Sequence, residues 1–273
     1  MQVNIRLGIW LDGLRLGIKA GLEALRGTAV EAIGLEAFGA ELSPRSLSHT
    51  GRRELARFVR SKGASLAALR ADVGGRRLAD GKTLDANLQR LREAAQLACD
   101  VGAEHLVVAA GFVPPAPPAA GGPEGDAVAR ATLAEAGRAL CALAASTRVR
   151  VSWLGGAEDP EVLAGFLNGF DSSSLLQLDL NPGAYVRHGF DPLKALELLA
   201  SRVALATAAD CYRGDGEAAF GHGDVRWGEL FVGLSTLRGP IHVLAGCGLE
   251  GDRAALLTAA HKRLQDLRRN PMG

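Results

Sequence analysis

Cysteine is scarce. Four in 273 residues are too few to staple a chain of this length, which argues against a disulfide framework. Cys99 and Cys141 fall within helical patterns and read as small core side chains. Aromatic residues make up only 5% of the chain, which leaves Leu, Ala and Val to fill the interior. So much alanine favours close-packed helices over a large open cavity. Neither sign of charge dominates: 31 basic and 30 acidic residues leave no positive field to draw in nucleic acid or an anionic membrane. The pairs Arg52-Arg53 and Arg268-Arg269 have apolar flanks and read as solvated helix faces. No apolar run is long enough to cross a bilayer. MQVNIRLGIW leads straight into a strand, without the basic region, apolar stretch and cleavage site of a leader, so a cytoplasmic location is the default expectation.

Compact catalytic signatures are missing too. There is no HExxH helix, P-loop, Gly-x-Ser-x-Gly elbow or close His pair. Gly155-Gly156 and Gly246-Cys247-Gly248 lack the full dinucleotide-binding pattern, and Gly74-Gly75 is more simply a turn.

What the chain does have is an alternation of strand and helix, repeated eight times. The expected strands are 3–10, 29–38, 65–70, 105–110, 148–154, 175–181, 203–207 and 241–245, short apolar or alternating runs. Helical spacing of leucine falls between them, beginning with a helix from about Leu14 to Arg26 and another starting near Ser46. Asp159-Pro160 and Asp191-Pro192 each place a capping carboxylate before a proline at the first helical position. The segment 111–125, with Pro114-Pro115, Pro117-Pro118 and Pro123, must be a loop, or less simply a domain linker. Eight such units with right-handed crossovers predict a (β/α)8 TIM barrel in one domain over residues 1–273, with an open doubly wound sheet as the alternative.

A barrel places its ligand site at the C-terminal ends of the strands. Trp10, Asp12, Glu36, Arg70, Asp72, Asp179, Asn181, Thr207 and Asp210 stand there. The substrate-binding candidates are Trp10, Glu36, Asp72, Asp179, Asn181, Asp210 and His222; for acid–base work they are Asp179, His222 and Glu36. Gln177, Asp179 and Asn181 share a strand face, where each polar group needs a partner once water is gone. They either bond to neighbouring backbone or face a pocket. Trp10 is either a stacking platform or core. Tyr185, Arg187 and His188 follow the sixth strand as a loop that can close over an anionic substrate or stay solvated. His222, in the glycine-rich loop after the seventh strand, titrates nearest neutrality. Cys211, Cys247, Asp210 and His222 lack compact ligand spacing and only weakly suggest zinc.

WLDGLRLG, VEAIGLEAFGAELSPRSLSHTGRREL, LDLNPGAYVRHGFDPLKAL and GHGDVRWGEL, in this order and covering nearly the whole chain, resemble the xylose isomerase-like barrel family. That family includes sugar isomerases and epimerases, inosose dehydratases and metal-dependent endonucleases. The resemblance implies a xylose isomerase-like TIM barrel whose relatives hold a divalent Mn, Mg, Co or Zn ion with acidic and His ligands at the strand ends. In the isomerases two of the glutamates often do the acid–base work. Carried onto this sequence, the fifth-strand glutamate falls at Leu154 and the sixth-strand aspartate at Asn181. The seventh-strand histidines fall near Leu205 and Thr207, the final glutamate near Leu244, and the fourth-strand histidine near Ala109 or Ala110. Leucine offers a cation no lone pair, and an Asn carbonyl binds one far more weakly than a carboxylate.

The expectation is therefore a pseudoenzyme-like or divergent barrel that binds a small polar molecule, such as a sugar or sugar phosphate, with no metal and no other cofactor. A metal-independent sugar (phosphate) isomerase, epimerase or lyase is the alternative. A structural or protein-interaction role using the Pro-rich loop 113–123 is a third reading, and oligomerisation is left open. Nucleic-acid and membrane partners are not expected, and endonuclease activity least of all.

Overall fold

The computed structural model describes residues 5–74, 77–116, 124–214, 216–246 and 248–272. Eight parallel strands close into a barrel: β1 (Ile5–Trp10), β2 (Ala32–Glu36), β3 (Ser65–Ala71), β4 (His105–Val108), β5 (Arg150–Gly155), β6 (Gln177–Leu180), β7 (Val203–Ala208) and β10 (Ile241–Ala245). They are neighbours in chain order and β10 pairs with β1, so no sheet edge is left open. The open doubly wound alternative is excluded. A two-stranded hairpin, β8 (Asp210–Cys211) with β9 (Glu217–Ala218), projects from the loop after β7, where a glycine-rich loop alone was expected.

Around the barrel lie α1 (Ile18–Ala24), α2 (His49–Ser61), α3 (Leu84–Val101), α4 (Glu124–Ser146), α5 (Pro160–Asn168), α6 (Pro182–Arg187), α7 (Pro192–Leu199), α8 (Trp227–Thr236) and α9 (Arg253–Arg269). Asp159 and Asp191 cap α5 and α7 as read, their carboxylates accepting from Glu161 N and Leu193 N. The main apolar core lies between strands and helices and includes Leu91, Leu106, Leu163, Leu178, Leu230 and Val243. A second, smaller cluster fills the barrel itself: Trp10, Ala32, Ala68, Val107, Leu205 and Leu244, with Leu154 packed against it.

Several expected boundaries shift. β2, β4, β5 and β6 are shorter than their apolar runs, whereas β3 and β7 each run one residue further than expected. The expected helix 14–26 is a 3-10 turn (Leu11–Leu14) followed by α1. Gly17 separates them at φ 75°, a left-handed backbone that glycine adopts freely, and the Glu41 carboxylate accepts from Ile18 N at 2.7 Å, satisfying the start of α1. The segment 182–188 is mostly a helix, α6, because Asn181 and Pro182 initiate it. The basic pairs are only half solvated. Arg53 and Arg269 are exposed, but Arg52 binds Asp100 at 2.7 Å and the carbonyls of Leu47 and Pro44, and Arg268 binds Glu31 at 2.8 Å and Ile5 O at 3.2 Å. A guanidinium on a helix face can reach past the apolar stripe to tie down a neighbouring loop.

Candidate functional site

Side chains that point into the barrel alternate along each strand, and at the C-terminal end they build one connected polar group. Trp10 closes β1 with its indole inside the barrel, and only glycine at position 34 leaves room for it: a Cβ there would overlap the six-membered ring. The Arg70 guanidinium, from β3, lies 3.8 Å from the Trp10 ring centre in a cation–π stack. Its two terminal nitrogens divide their work, Nη1 toward Glu36 Oε1 at 3.5 Å and Nη2 toward Thr207 Oγ1 at 3.3 Å. Thr207 also accepts from Trp10 Nε1 at 3.0 Å and donates its proton to the Asp179 carboxylate at 2.9 Å. One hydroxyl has one proton and two lone pairs, so Thr207 is fully used. Arg70 Nε is buried without a partner among the described residues.

Both carboxyls of this group are tuned toward neutrality. Burial pushes Asp179, fully enclosed, up to about 6 against the pull of Arg70 and Thr207. Burial likewise pushes Glu36 up to about 7 against Arg70, with Asp12 and Asp72 adding to the rise. Asp12 also fixes the Glu36 backbone, accepting from its N–H at 2.6 Å. Glu36 and Asp12 line a cavity of about 260 Å³ between the 3-10 turn, α1 and the loop after β2, with Leu11, Arg15, Ile18 and Leu42.

The candidates from the sequence divide into those this group contains and those it does not. Trp10, Glu36 and Asp179 belong to it. Trp10 is only 3% exposed and one of its faces is taken by Arg70, so it serves as core and cation seat, not as an open platform. Asn181 Oδ1 accepts from Ala184 N at 3.0 Å and caps α6. Asp72 makes a tight turn with Gly74 N at 2.8 Å and pairs with Arg77; Gly75 lies outside the described residues. Asp210 is buried and accepts from Cys211 N, Gly221 N, Val225 N and Trp227 Nε1, so it organises the loop from β8 to α8. His222 is exposed and lines a separate cavity of about 380 Å³ between that loop and α9, with Glu217, Lys262, Arg263 and Asp266. Tyr185 is fully buried in α6 and closes over nothing; Arg187 pairs with Glu217 at 3.6 Å, and His188 is exposed. Of the Pro-rich loop, Val113 and Pro114 are buried, and Pro114 O accepts from Arg130 at 2.5 Å; Pro117, Pro118 and Pro123 lie outside the described residues.

Sequence reasoning placed Arg70 and Thr207 at the strand ends without singling them out. The available signal was parity: Arg70 is the one charged side chain of β3 and shares the inward face with Ala68. Nor does the sequence hold a closely spaced His pair. Yet His105 opens β4, His242 lies near the start of β10, and their rings meet edge to face with centres 5.8 Å apart at the opposite, N-terminal end. Among the described residues the one set of three metal-type side chains with converging donor atoms is Glu104, His105 and His242. Asp210, Cys211 and His222 form no such set, and Cys247 lies outside the described residues.

The strand ends do not fit the divalent ion that the resemblance implies. Leu154 and Leu244 pack in the apolar cluster inside the barrel, Ala109 and Ala110 are buried, Asn181 is committed to its helix and Thr207 to Asp179. Arg70 already supplies a positive charge between Glu36 and Thr207.

No family model matches the sequence, and no curated protein matches it. Solved structures do. A xylose isomerase domain protein from Planctomyces limnophilus superposes with a TM-score of 0.76 at 20% identity, over 97% of this chain and 96% of that one. A D-tagatose 3-epimerase-like protein gives 0.77 at 14% identity, over 98% and 100%. A xylose isomerase-like TIM barrel protein from Mycobacterium smegmatis, in complex with magnesium, gives 0.69 at 13% identity, over 100% and 98%. The chain has the xylose isomerase-like (β/α)8 barrel fold. None of its helices, among the described residues, is long and apolar enough to cross a membrane.

Proposed function

We propose that the C-terminal mouth binds a small polar molecule, a sugar or sugar phosphate by chemistry, and that Arg70 takes the electrostatic part a divalent ion plays in similar barrels. The observation that carries this is the seating of Arg70: stacked on Trp10, tied to Thr207 and facing Glu36, with its Nε unpartnered. A fixed guanidinium recognises an anionic or hydroxyl-rich ligand by directed hydrogen bonds and needs no metal to do so. The adjoining 260 Å³ cavity offers the ligand a place beside Glu36, whose side chain is 31% exposed and accepts hydroxyl protons. The names of the similar structures, among them an L-ribulose 3-epimerase, favour a sugar as the ligand class.

Calorimetric titration of a panel of pentoses, hexoses and their phosphates, with chelator present throughout, tests the reading. We expect binding that Arg70→Met abolishes. Binding that appears only after Mn²⁺ or Mg²⁺ is added would end it.

A second reading, metal-independent isomerisation, epimerisation or elimination, draws on a specific feature. Glu36, with its carboxyl near 7, is poised to exchange a proton beside a cation able to support an oxyanion. Turnover of a bound sugar in chelator, lost in Glu36→Gln with affinity retained, would favour it over simple binding.

A further inference from the structure

The floor of the barrel, at the N-terminal ends of the strands, has a second constellation unrelated to the mouth. In the strand order β1-β10-β7-β6-β5-β4-β3-β2, β10 and β4 stand four places apart, on opposite sides of the barrel. His242 and His105 reach toward one another across the axis, and Glu104, immediately before β4, joins them. We propose that Glu104, His105 and His242 form a binding site for a divalent transition-metal ion, zinc by ligand chemistry, that braces β4 and β10 across the barrel floor.

Donor geometry is the first support. One donor atom from each of the three side chains lies within 4.8 Å of the other two. Glu104 Oε2 and His242 Nε2 are 3.3 Å apart. A tetrahedral ion with bonds of about 2.0–2.1 Å has ligand atoms about 3.3–3.4 Å apart, so that edge is already the right length. His105 must close by up to about 1.5 Å to complete a tetrahedral face. The two carboxylate oxygens are already divided, with Oε1 on Arg6 at 3.0 Å, so Oε2 can turn to an ion without releasing Arg6.

The second support is unspent hydrogen-bonding capacity. His105 and His242 are both 0% exposed, yet among the described residues His105 Nε2, the atom free to take an ion, has no partner. Buried polar atoms are normally bonded, and each orphan calls for a reason. The tautomer of His105 in which Nδ1–H donates to Ser152 Oγ, 3.3 Å away, leaves the Nε2 lone pair free. It also supplies the outer contact that orients a metal-bound imidazole. Burial lowers the proton affinity of both rings, which keeps them in the neutral form a cation needs. Two imidazoles and one carboxylate suit zinc, copper or nickel and are a poor set for magnesium or calcium. Arg6 and Arg150 are the positive charges that face the site and oppose the ion; Arg6 is offset by Glu104.

The full chain is stripped with chelator, dialysed, and titrated with Zn²⁺ and, as a spectroscopic probe, Co²⁺. One ion per chain is expected, with a tetrahedral-type Co²⁺ visible spectrum and a raised melting temperature. Glu104→Gln keeps volume and a contact to Arg6, and His242→Gln removes the imidazole across the axis. Each should weaken binding by more than the ~100-fold at which loss of an outer contact tops out. If His242→Gln fails to fold, Glu104→Gln alone decides the matter. Substoichiometric metal, or Zn²⁺ affinity unchanged in a folded Glu104→Gln protein, would overturn the site. Sugar titrations at the mouth in chelator are independent of this result, so either proposal can fail alone.

Discussion

The two ends of the barrel use the same inward-facing positions for opposite purposes. At the mouth, Arg70, Thr207 and Asp179 form a bonded chain in which one half-buried cation answers two carboxyls and the hydroxyl between them has no capacity to spare. At the floor, His105 and His242 are more deeply buried, and His105 Nε2 keeps a lone pair that nothing among the described residues uses. Between them lies an apolar layer, with Ala32, Ala68, Val107 and Leu205 and no room for a side chain at Gly8, where a Cβ would overlap the Ala32 carbonyl. The contrast separates a charge that belongs to the protein from a vacancy of bonding that a charge from outside can fill. It also means the two ends can be broken separately.

The largest effect is expected from Arg70→Met, which keeps the stem over Trp10 and removes the cation. Losing one partner of a buried charge group typically costs several kcal/mol, and with Glu36 partly solvated about 3 kcal/mol is expected at pH 8 by urea denaturation. The loss should shrink on acidification. Both carboxyls have raised folded-state values, about 6 and about 7, so the folded protein holds protons the unfolded chain has already released. Stability from this source is full below about pH 4 and is lost as pH rises through 6 and 7. Without Arg70 both values climb further and the window moves up. A defect independent of pH would mean the guanidinium acts through packing alone.

Gly34→Ala attacks the seat of Trp10. Its Cβ would press on a rigid ring with nowhere to shift, and overpacking of this kind costs about 2–3 kcal/mol. Because the indole carries Arg70, sugar affinity should fall with stability, while Zn²⁺ affinity at the floor should hold. Loss of both together would show that the barrel does not insulate its ends. Asn181→Ala is milder. It removes the cap of α6, worth about 1 kcal/mol by thermal or urea melts, and should leave sugar affinity unchanged, since Asn181 is committed to Ala184 N. A binding loss without a stability loss would restore Asn181 to the ligand-contact role.

These expectations also mark how far the sequence could be read. The eightfold alternation, the Asp-Pro caps and most strand positions follow from local rules, and the barrel came out as expected because periodicity and capping act over a few residues. The mouth was legible in part. Its members stand at strand ends, and the polar face of Gln177, Asp179 and Asn181 was visible, but which of these faces inward and which caps a helix depends on where the strand stops. β6 stops at Leu180, which hands Asn181 to α6. The hairpin that holds Asp210 in place was hidden because its strands are only two residues each. The floor was not legible at all. Glu104 and His242 are 138 positions apart, and only barrel closure puts opposite strands within reach of one another.

The smallest effect belongs to the floor and is the most discriminating. Arg6 and Glu104 are 49% and 33% exposed at their side chains, and half-exposed pairs of this kind contribute about 0.5 kcal/mol or less. Arg6→Ala should therefore barely move the melting curve. It removes a positive charge that faces Glu104 Oε1, however, and an arriving cation would meet less repulsion and a carboxylate free to use either oxygen. Zn²⁺ affinity, measured by competition with a chromophoric chelator, should rise several-fold while stability and sugar binding stay where they were. If affinity is unchanged, Glu104 does not carry the ion, and the two imidazoles would have to be read as a neutral pair held apart by the barrel wall.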